Sequence, residues 1–405
     1  MLQAIDESGQ SIIPAALNME SLNYLKKERH SFYCPECKKP VILKAGRRVI
    51  PHFAHFATSN CGGGEGGYHE NGKWQLFNWL ANQNLDVSLE AFLEEVKRRP
   101  DILLKIGDRR IVIEYQCAQI TQEEIRSRMD DYDQAGLEQI WILGGNRLKR
   151  LGSTSLSLDY FSQYFLHRYK KTPDEYLYFY CPGTIHFAIF HNPLFANKRK
   201  AFGTIQFSHI KRINFKDLFQ PFHFKSEQIA QCWENEKESF RKSASRRCYG
   251  EEMRFHQWLY SHGWHVSTLP ACIGLPVRNA NEMRLPTFHW QARLVMEIIR
   301  PAFNRQALSL NSIKSSMSRF VVVNDNLPIL QEGIDPVVDY VMQLSHLGYL
   351  NIYPDGTITC EKRIDLHRNV EHSLHEDSLI MQKWLQLQKM PNQKKSMIPA
   401  NSAIL

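Results

Sequence analysis

The sequence predicts an α/β protein. A three-layer α/β domain with a mixed sheet is expected over residues 65–150, behind a small Cys/His module over 1–62 and ahead of a mixed α+β region. Three observations carry this. The pattern from Tyr68 to Leu143 reads helix, strand, strand, helix, strand, which is the order of a layered α/β domain. Cys34-Pro-Glu-Cys37 and His52-Phe-Ala-His55 supply two pairs of metal-ligand type. Between the two units, Cys61 to Gly67 holds five glycines in seven residues, a composition with little conformational preference that reads as a linker.

Residues 1–31 read as an irregular or β-rich lead-in. In the central domain, Trp74, Phe77 and Ala81 recur at helical spacing from Tyr68 onward. Val87 to Val96 has no clear period and includes a strand at most. Asp101–Ile106 and Arg110–Gln116 predict two strands around the turn Gly107-Asp108. Thr121 with Glu124 three residues on is a capping box, so a helix starts there and runs to about Ala135, where Gly136 stops it. Gln139–Leu143 is a short buried strand.

Beyond 150, strands are expected at Glu175–Tyr180, Thr184–Phe190 and Ala201–Phe207, and a helix from Ser226 towards Arg247. Glu251–His262 predicts an amphipathic helix and Trp264–Leu269 a strand. Pro336–Leu347, a helix, is followed by a candidate hairpin around Pro354-Asp355-Gly356. A helix followed by a hairpin is the layout of a winged helix, expected over 336–372, after an aromatic and basic α+β region at 151–335. Residues 373–405 read as a polar tail, either a lone helix or disordered.

Composition bounds the function. With 405 residues and 43% hydrophobic content, about two to four domains are expected. Lys plus Arg is 50 and Asp plus Glu is 42, a formal charge of +8, which suits a polyanion partner without requiring one. No apolar run reaches the length of a membrane span. Asp6 and Glu7 fall where a secretory leader would be apolar or basic, so a cytoplasmic protein is expected. The 9 cysteines are odd in number and scattered, which argues for thiols and a metal site over a disulfide frame.

Cys34 and Cys37 form a knuckle in which one ion accepts both sulfurs. Fourteen residues separate Cys37 from His52, and His55 completes the second pair. The set Cys34, Cys37, His52, His55 satisfies tetrahedral Zn²⁺ around a hairpin, as a structural site that contributes folding energy. Cys61 is an alternative to one histidine. Arg47 and Arg48 lie near the hairpin tip.

Asp101 opens one strand, and Glu114 and Gln116 share one face of the next, with Ile113 and Tyr115 on the other. The hairpin brings Asp101 alongside Glu114. Two carboxylates at adjacent strand ends form a hard oxygen site suited to Mg²⁺ or Mn²⁺. Such an ion polarises a phosphodiester oxygen and activates water. His69-Glu70 opens the preceding helix, where Glu70 can complete the coordination. Lys73, one turn on, faces the same way as a cation for phosphate or developing charge. Arg128 and Tyr132 share a face of the following helix, with Arg126 close by. They are candidates for orienting phosphate and base, or equally a solvated face with pairs such as Arg126–Asp130.

Arg99-Pro-Asp101 with Ile113-Glu-Tyr-Gln116 resembles the PD-(D/E)xK nuclease superfamily in a D…ExQ form. Together with CPEC…HFAH, YHENGK, RPDIL and VIEYQCAQI, it resembles the CoiA family of competence proteins over the first 145 residues. The resemblance implies a restriction-endonuclease-like core and a role in processing and recombining incoming single-stranded DNA during natural transformation. A recombinase or other competence proteins are the implied partners. One residue departs from the superfamily pattern: Gln116 stands where most members carry Lys. Glutamine can hydrogen-bond water but carries no charge. Two readings follow, a metal-dependent nuclease acting on single-stranded or branched DNA, or a weak or inactive nuclease fold that binds single-stranded DNA as an adaptor for a recombinase.

Residues 159–225 interleave aromatics (Tyr160, Phe161, Tyr164, Phe165, Tyr169) with His167, Arg168, Lys170, Lys171 and Lys198 to Lys200. This is either a stacking track for single strands or core packing. The basic run Arg241–Arg247 is either a DNA contact or a solvated helix face.

Overall fold

The computed structural model describes the chain apart from residues 28–29, 36, 47–49, 57–65, 170–173, 222–224, 244–247, 306, 323–332 and 390–405. Arg47, Arg48, Cys61, Lys170, Lys171, Arg246 and Arg247 therefore lie outside the described residues, as does most of the glycine-rich linker.

The N-terminal module comprises β1 (Ala4–Ile5), β2 (Ser11–Ile12), helix α1 (Met19–Lys27), β3 (Phe32–Tyr33), β4 (Pro40–Lys44) and β5 (His52–His55). Its antiparallel sheet runs β2-β1-β3-β4-β5 over a small core of Ala4, Phe32, Cys34, Val41 and Phe53. The lead-in thus holds a helix that the sequence reading did not anticipate.

The central domain follows as α2 (Gly67–Ala81), β6 (Asp86–Leu89), β7 (Ile102–Ile106), β8 (Arg109–Gln116), α3 (Gln122–Gln134) and β9 (Glu138–Gly144). The predicted helix, two strands, helix and strand are found, with a further strand, β6, in the stretch that had no clear period. The turn between β7 and β8 uses Gly107 at φ +59, and the side chain of Thr121 accepts the Glu124 N–H at 3.2 Å to start α3. Strands β8 and β9 are parallel, as a strand–helix–strand crossover requires.

The sheet does not end at 150. It continues through β10 (Ser155–Ser157), α4 (Tyr160–Gln163), β11 (His167–Arg168), β12 (Glu175–Cys181), β13 (His186–Phe195) and β14 (Lys200–His209). The nine strands run β10-β14-β13-β12-β9-β8-β7-β6, with β11 beside β12. Strand β9 is apolar on both faces: Trp141 and Leu143 enter one core, Ile140 and Ile142 the other. Such a strand needs neighbours on both edges, and β12 supplies the second by parallel pairing. Of the two readings of the aromatic stretch, core packing holds for most of it. Phe161, Tyr164, Phe165, His167 and Arg168 are buried, which leaves Tyr160 as the exposed ring of that group.

The C-terminal region contains α5 (Ser226–Arg241), α6 (Gly250–Ser261), α7 (Thr287–Arg293), a π-helical segment (Leu294–Ile299), α8 (Arg300–Ala302), β15 (Leu308–Ser309), α9 (Leu310–Met317), α10 (Pro336–His346), β16 (Leu350–Ile352), β17 (Thr357–Cys360) and α11 (Val370–Lys389). The strand expected at Trp264–Leu269 is a 3₁₀ turn, Val266–Thr268. The tail expected from 373 is a packed helix to Lys389: Ser373, Asp377, Ile380, Met381 and Trp384 form a buried stripe at helical spacing. Arg241 is neither a DNA contact nor a solvated residue. It is buried and forms a two-pronged ion pair with Asp377, both distances 2.9 Å. Among the described residues no helix is long and apolar enough to cross a membrane.

Helix α2 packs on β8 across Gly72. A Cβ there would come 2.1 Å from a ring carbon of Tyr115, so only glycine permits this approach. Gly72→Ala is expected to cost roughly 1–3 kcal/mol of stability by overpacking. Gly66→Ala, which opens into empty space, should change little. Urea unfolding of the two variants checks this.

Candidate functional site

The centre forms where the ends of β7 and β8 meet α2 and α3. The register Ile102↔Ile113 puts Asp101 beside Glu114. An Asp101 oxygen accepts the Tyr115 backbone N–H at 2.8 Å, which fixes the carboxylate against the neighbouring strand. Strand alternation turns Ile111, Ile113 and Tyr115 into the α2-side core and Glu114 towards α3.

Glu114 is 1% exposed. It accepts a hydrogen bond from the Tyr132 hydroxyl at 2.5 Å, and its second oxygen lies 3.3 Å from Arg128. Burial pushes its carboxyl up from the usual 4.5 to about 7, against the opposing pull of Arg128; the nearby negative charge of Asp101 adds to the rise. The same ion pair raises Arg128, whose guanidinium also lies over the Trp141 ring at 5.7 Å. Tyr132 is fully buried. It orients Glu114, and it is not the platform for a base that its spacing from Arg128 suggested. Arg126, two residues before Arg128 on α3, is half-buried.

On the α2 side, Lys73 is 1% exposed. Its Nζ lies 2.5 Å from Glu90, 3.4 Å from Asp101 and 3.6 Å from Glu70. The expectation that Lys73 reaches a phosphate is therefore corrected: the ammonium is a buried countercharge to three carboxylates. Glu70 is fully buried and also faces the Met1 amino group at 2.5 Å. His69 stacks on Tyr115 with ring centroids 5.5 Å apart, and its Nε2 lies 3.4 Å from Asp101. Gln116 donates to the Ala118 carbonyl at 2.6 Å and so braces the loop after β8. His69 and Glu90 belong to this centre, yet the sequence reading gave neither a role. For His69 the signal was its place before Glu70. For Glu90 there was none, since it follows a strand of weak period.

In the N-terminal module, ligand atoms of Cys34, Cys37 and His55 lie within 4.8 Å of one another. His52 is not part of that group. Three residues from His55 on a strand, it faces the other way, and its Nδ1 is 2.8 Å from the Ile50 carbonyl. Of the four expected ligands, three gather among the described residues, and Cys61, the alternative to one histidine, lies outside them. Among the described residues no three ligand atoms of the carboxylate centre come equally close.

Family models match the chain in three successive stretches: "Competence protein CoiA, N-terminal domain" at 15–63, "Competence protein CoiA, nuclease-like domain" at 65–223, and "Competence protein CoiA, C-terminal domain" at 229–374. Competence protein CoiA of Bacillus subtilis (strain 168) is 30% identical over 336 residues, which covers 80% of this chain and 88% of that protein. The chain belongs to the CoiA family. No solved structure matches it. The nuclease-like match ends at 223, so it takes in the strands β10 to β14 that extend the sheet.

Glu114 yields a prediction on stability. With the folded-state value near 7 and the usual value 4.5, the native state keeps a proton that the unfolded chain releases between those pH values. Stability therefore falls as pH rises from about 4.5 to 7, by up to about 3 kcal/mol, and is level above that. Glu114→Gln should gain on the parent protein across this window and hold a constant difference above it. Denaturation midpoints from pH 5 to 8 measure this, and a difference between the two proteins that does not vary with pH would contradict it.

Proposed function

We propose that this CoiA-family chain acts in the cytoplasm on DNA during natural transformation and recombination. In this reading it is a divalent-metal-dependent deoxyribonuclease for single-stranded or branched DNA. The observation that carries the reading is the buried Asp101–Glu114 pair on adjacent strand ends of a nuclease-like domain. Glu70, Glu90, Asp101 and Glu114 gather against the two basic side chains Lys73 and Arg128. That excess of hard oxygen donors fits Mg²⁺ or Mn²⁺. Asp101 and Glu114 would hold the ion, with Glu70 behind them.

A bound ion supplies Lewis-acid polarisation of a phosphodiester oxygen and an acidified water. The chain's own residues do the rest. Lys73 offsets the charge at Asp101, and Tyr132 and the Tyr115 N–H hold the two carboxylates in place. Arg128, the partly exposed cation of the centre, is the residue placed to meet a phosphate. Gln116 positions water once it exchanges its bond to Ala118. Cleaved DNA ends are the product. Because Glu114 keeps its proton up to about pH 7, ion binding at this centre would release protons near neutrality.

Mn²⁺ or Mg²⁺ should support cleavage of single-stranded or branched DNA by the purified protein. Asp101→Ala combined with Glu114→Ala should lower it at least about a hundredfold, the scale on which one positioned electrostatic group acts. Cleavage that survives the double substitution would sink the assignment. The second reading, an adaptor that binds single-stranded DNA for a recombinase, draws on Gln116 being engaged with Ala118 and Lys73 being sequestered. Metal-independent binding with no cleavage under any divalent ion would decide for it.

For the N-terminal module the reading is Zn²⁺ at Cys34, Cys37 and His55, in keeping with thiolate and imidazole donors. Cys34→Ser and His55→Ala should lose bound zinc on metal analysis, while His52→Ala keeps it. Retention of zinc by Cys34→Ser would refute the site. The domain division in this reading is 1–62, 65–150 with the added strands, and a C-terminal region whose 336–372 segment is a winged helix. Helix α10, the hairpin β16–β17 and the third strand β15 support that shape. Helix α10 buries Val337, Tyr340, Val341 and Leu344 and carries no Lys or Arg, so packing accounts for it better than base reading.

A further inference from the structure

Glu90 follows β6 with φ +49, a left-handed conformation that a side-chain-bearing residue rarely adopts and that costs backbone strain. Its carboxylate is 4% exposed, and all the partners that hold it are identifiable. One oxygen takes the Lys73 ammonium at 2.5 Å. The two oxygens accept the Leu2 N–H at 3.0 and 3.2 Å, and the second also accepts the Gln3 N–H at 3.0 Å. The backbone N–H of Glu90 donates to the carbonyl of Asp101 at 3.0 Å. One residue therefore touches the Asp101 backbone, the cation beside the Asp101 side chain, and the segment Leu2–Gln3.

That segment is the inner seam of the N-terminal module. Met1 and Phe53 exchange backbone hydrogen bonds at 2.9 and 3.2 Å, and Phe53 lies on β5 two residues before His55. Further along, Ile5 pairs with Tyr33, the residue before Cys34. Residues 1–5 are thus bonded to both strands that lead to the three-ligand cluster. The side chain of Leu2 is buried in the core of the nuclease-like domain, while Ala4 is buried in that of the module. A charged acceptor on two adjacent amides, inside a buried site, is a strong and directional tie.

We propose that Glu90 is a positioning residue that couples the Cys34–Cys37–His55 metal site to the carboxylate centre, so that loss of metal from the module loosens Lys73 and Asp101. With the metal bound, β3 and β5 hold residues 1–5, and those residues hold Glu90 in its strained conformation. Without it, the two amides are released, Glu90 relaxes, and Lys73 loses its nearest partner. The proposal rests on reading the cluster as a metal site.

Hydrogen exchange followed by mass spectrometry on the full chain tests it, with zinc content measured on the same samples. Stripping zinc from the parent protein should speed exchange in residues 1–5 and in residues 67–76 of α2. The second change should be about tenfold or more, as expected from loss of a hydrogen bond to a charged group. In Glu90→Gln, stripping should still speed exchange in residues 1–5, but the change in residues 67–76 should shrink severalfold, leaving only what passes through the Met1–Glu70 contact. Exchange in α11, which packs on α5, should stay constant and reports an intact fold. Where Glu90→Gln fails that control, Glu90→Asp, which keeps the charge but shortens the reach, is compared in its place. Residues 67–76 that ignore stripping in the parent protein overturn the proposal, and so does a Glu90 variant that transmits the change undiminished. A parent protein without bound metal overturns the metal-site reading, and the coupling with it. A loaded protein with no coupling overturns the coupling alone.

Discussion

The buried ammonium of Lys73 is the interaction on which the rest of this structure depends. A charge at that depth persists only if paired and hydrogen-bonded, and removing one partner from such a pair typically costs about 3–5 kcal/mol. Its partners come from three places: Glu70 from its own helix α2, Glu90 from the turn after β6, and Asp101 from the start of β7. One charge therefore ties helix, edge strand and central hairpin together. On the other side of the hairpin, Glu114 makes the equivalent tie to α3 through Tyr132 and Arg128. Strands β7 and β8 are clamped between two buried polar contacts, the Lys73 ammonium from α2 on one side and the Glu114 carboxyl against α3 on the other. The C-terminal region repeats the device, since Asp377 of α11 binds Lys237 and Arg241 of α5.

What was legible in the sequence was whatever depends on local order. The two periods, the Thr121 cap and the Gly107 turn are short-range features, and α2, β7, β8, α3 and β9 followed from them, whereas β6 did not. The Asp101–Glu114 pairing was legible too, because a tight hairpin fixes register from spacing alone. Tyr132 and Arg241 have surface-like sequence contexts, but distant segments cover them, and the same covering decides for core packing of the aromatics from Phe161 to Phe165. Pairing of β9 with β12, and of α5 with α11, is invisible in local pattern. His52 failed for a smaller reason. Its spacing from His55 matches a knuckle on a turn, but on a strand three residues apart means opposite faces. Glu90 could not be read at all, since its importance lies in contacts to residues 2, 3, 73 and 101.

The same charge accounting bears on Gln116. In the superfamily that the sequence resembles, the third motif position places a lysine beside the second carboxylate, on the strand. Here strand β8 carries no cation at that position, yet each carboxylate still faces one from a helix, Asp101 the Lys73 ammonium of α2 at 3.4 Å and Glu114 the Arg128 guanidinium of α3 at 3.3 Å. The two carboxylates are left unlike one another. Both face a cation at nearly the same distance, but Glu114 is the more deeply buried and also takes a hydroxyl at 2.5 Å, and burial pushes its carboxyl up to about 7. How far the ammonium lies from Asp101 is set by how closely α2 approaches β8, and that approach passes through Gly72 against Tyr115. A glycine with no chemistry of its own thereby governs the electrostatics of the centre.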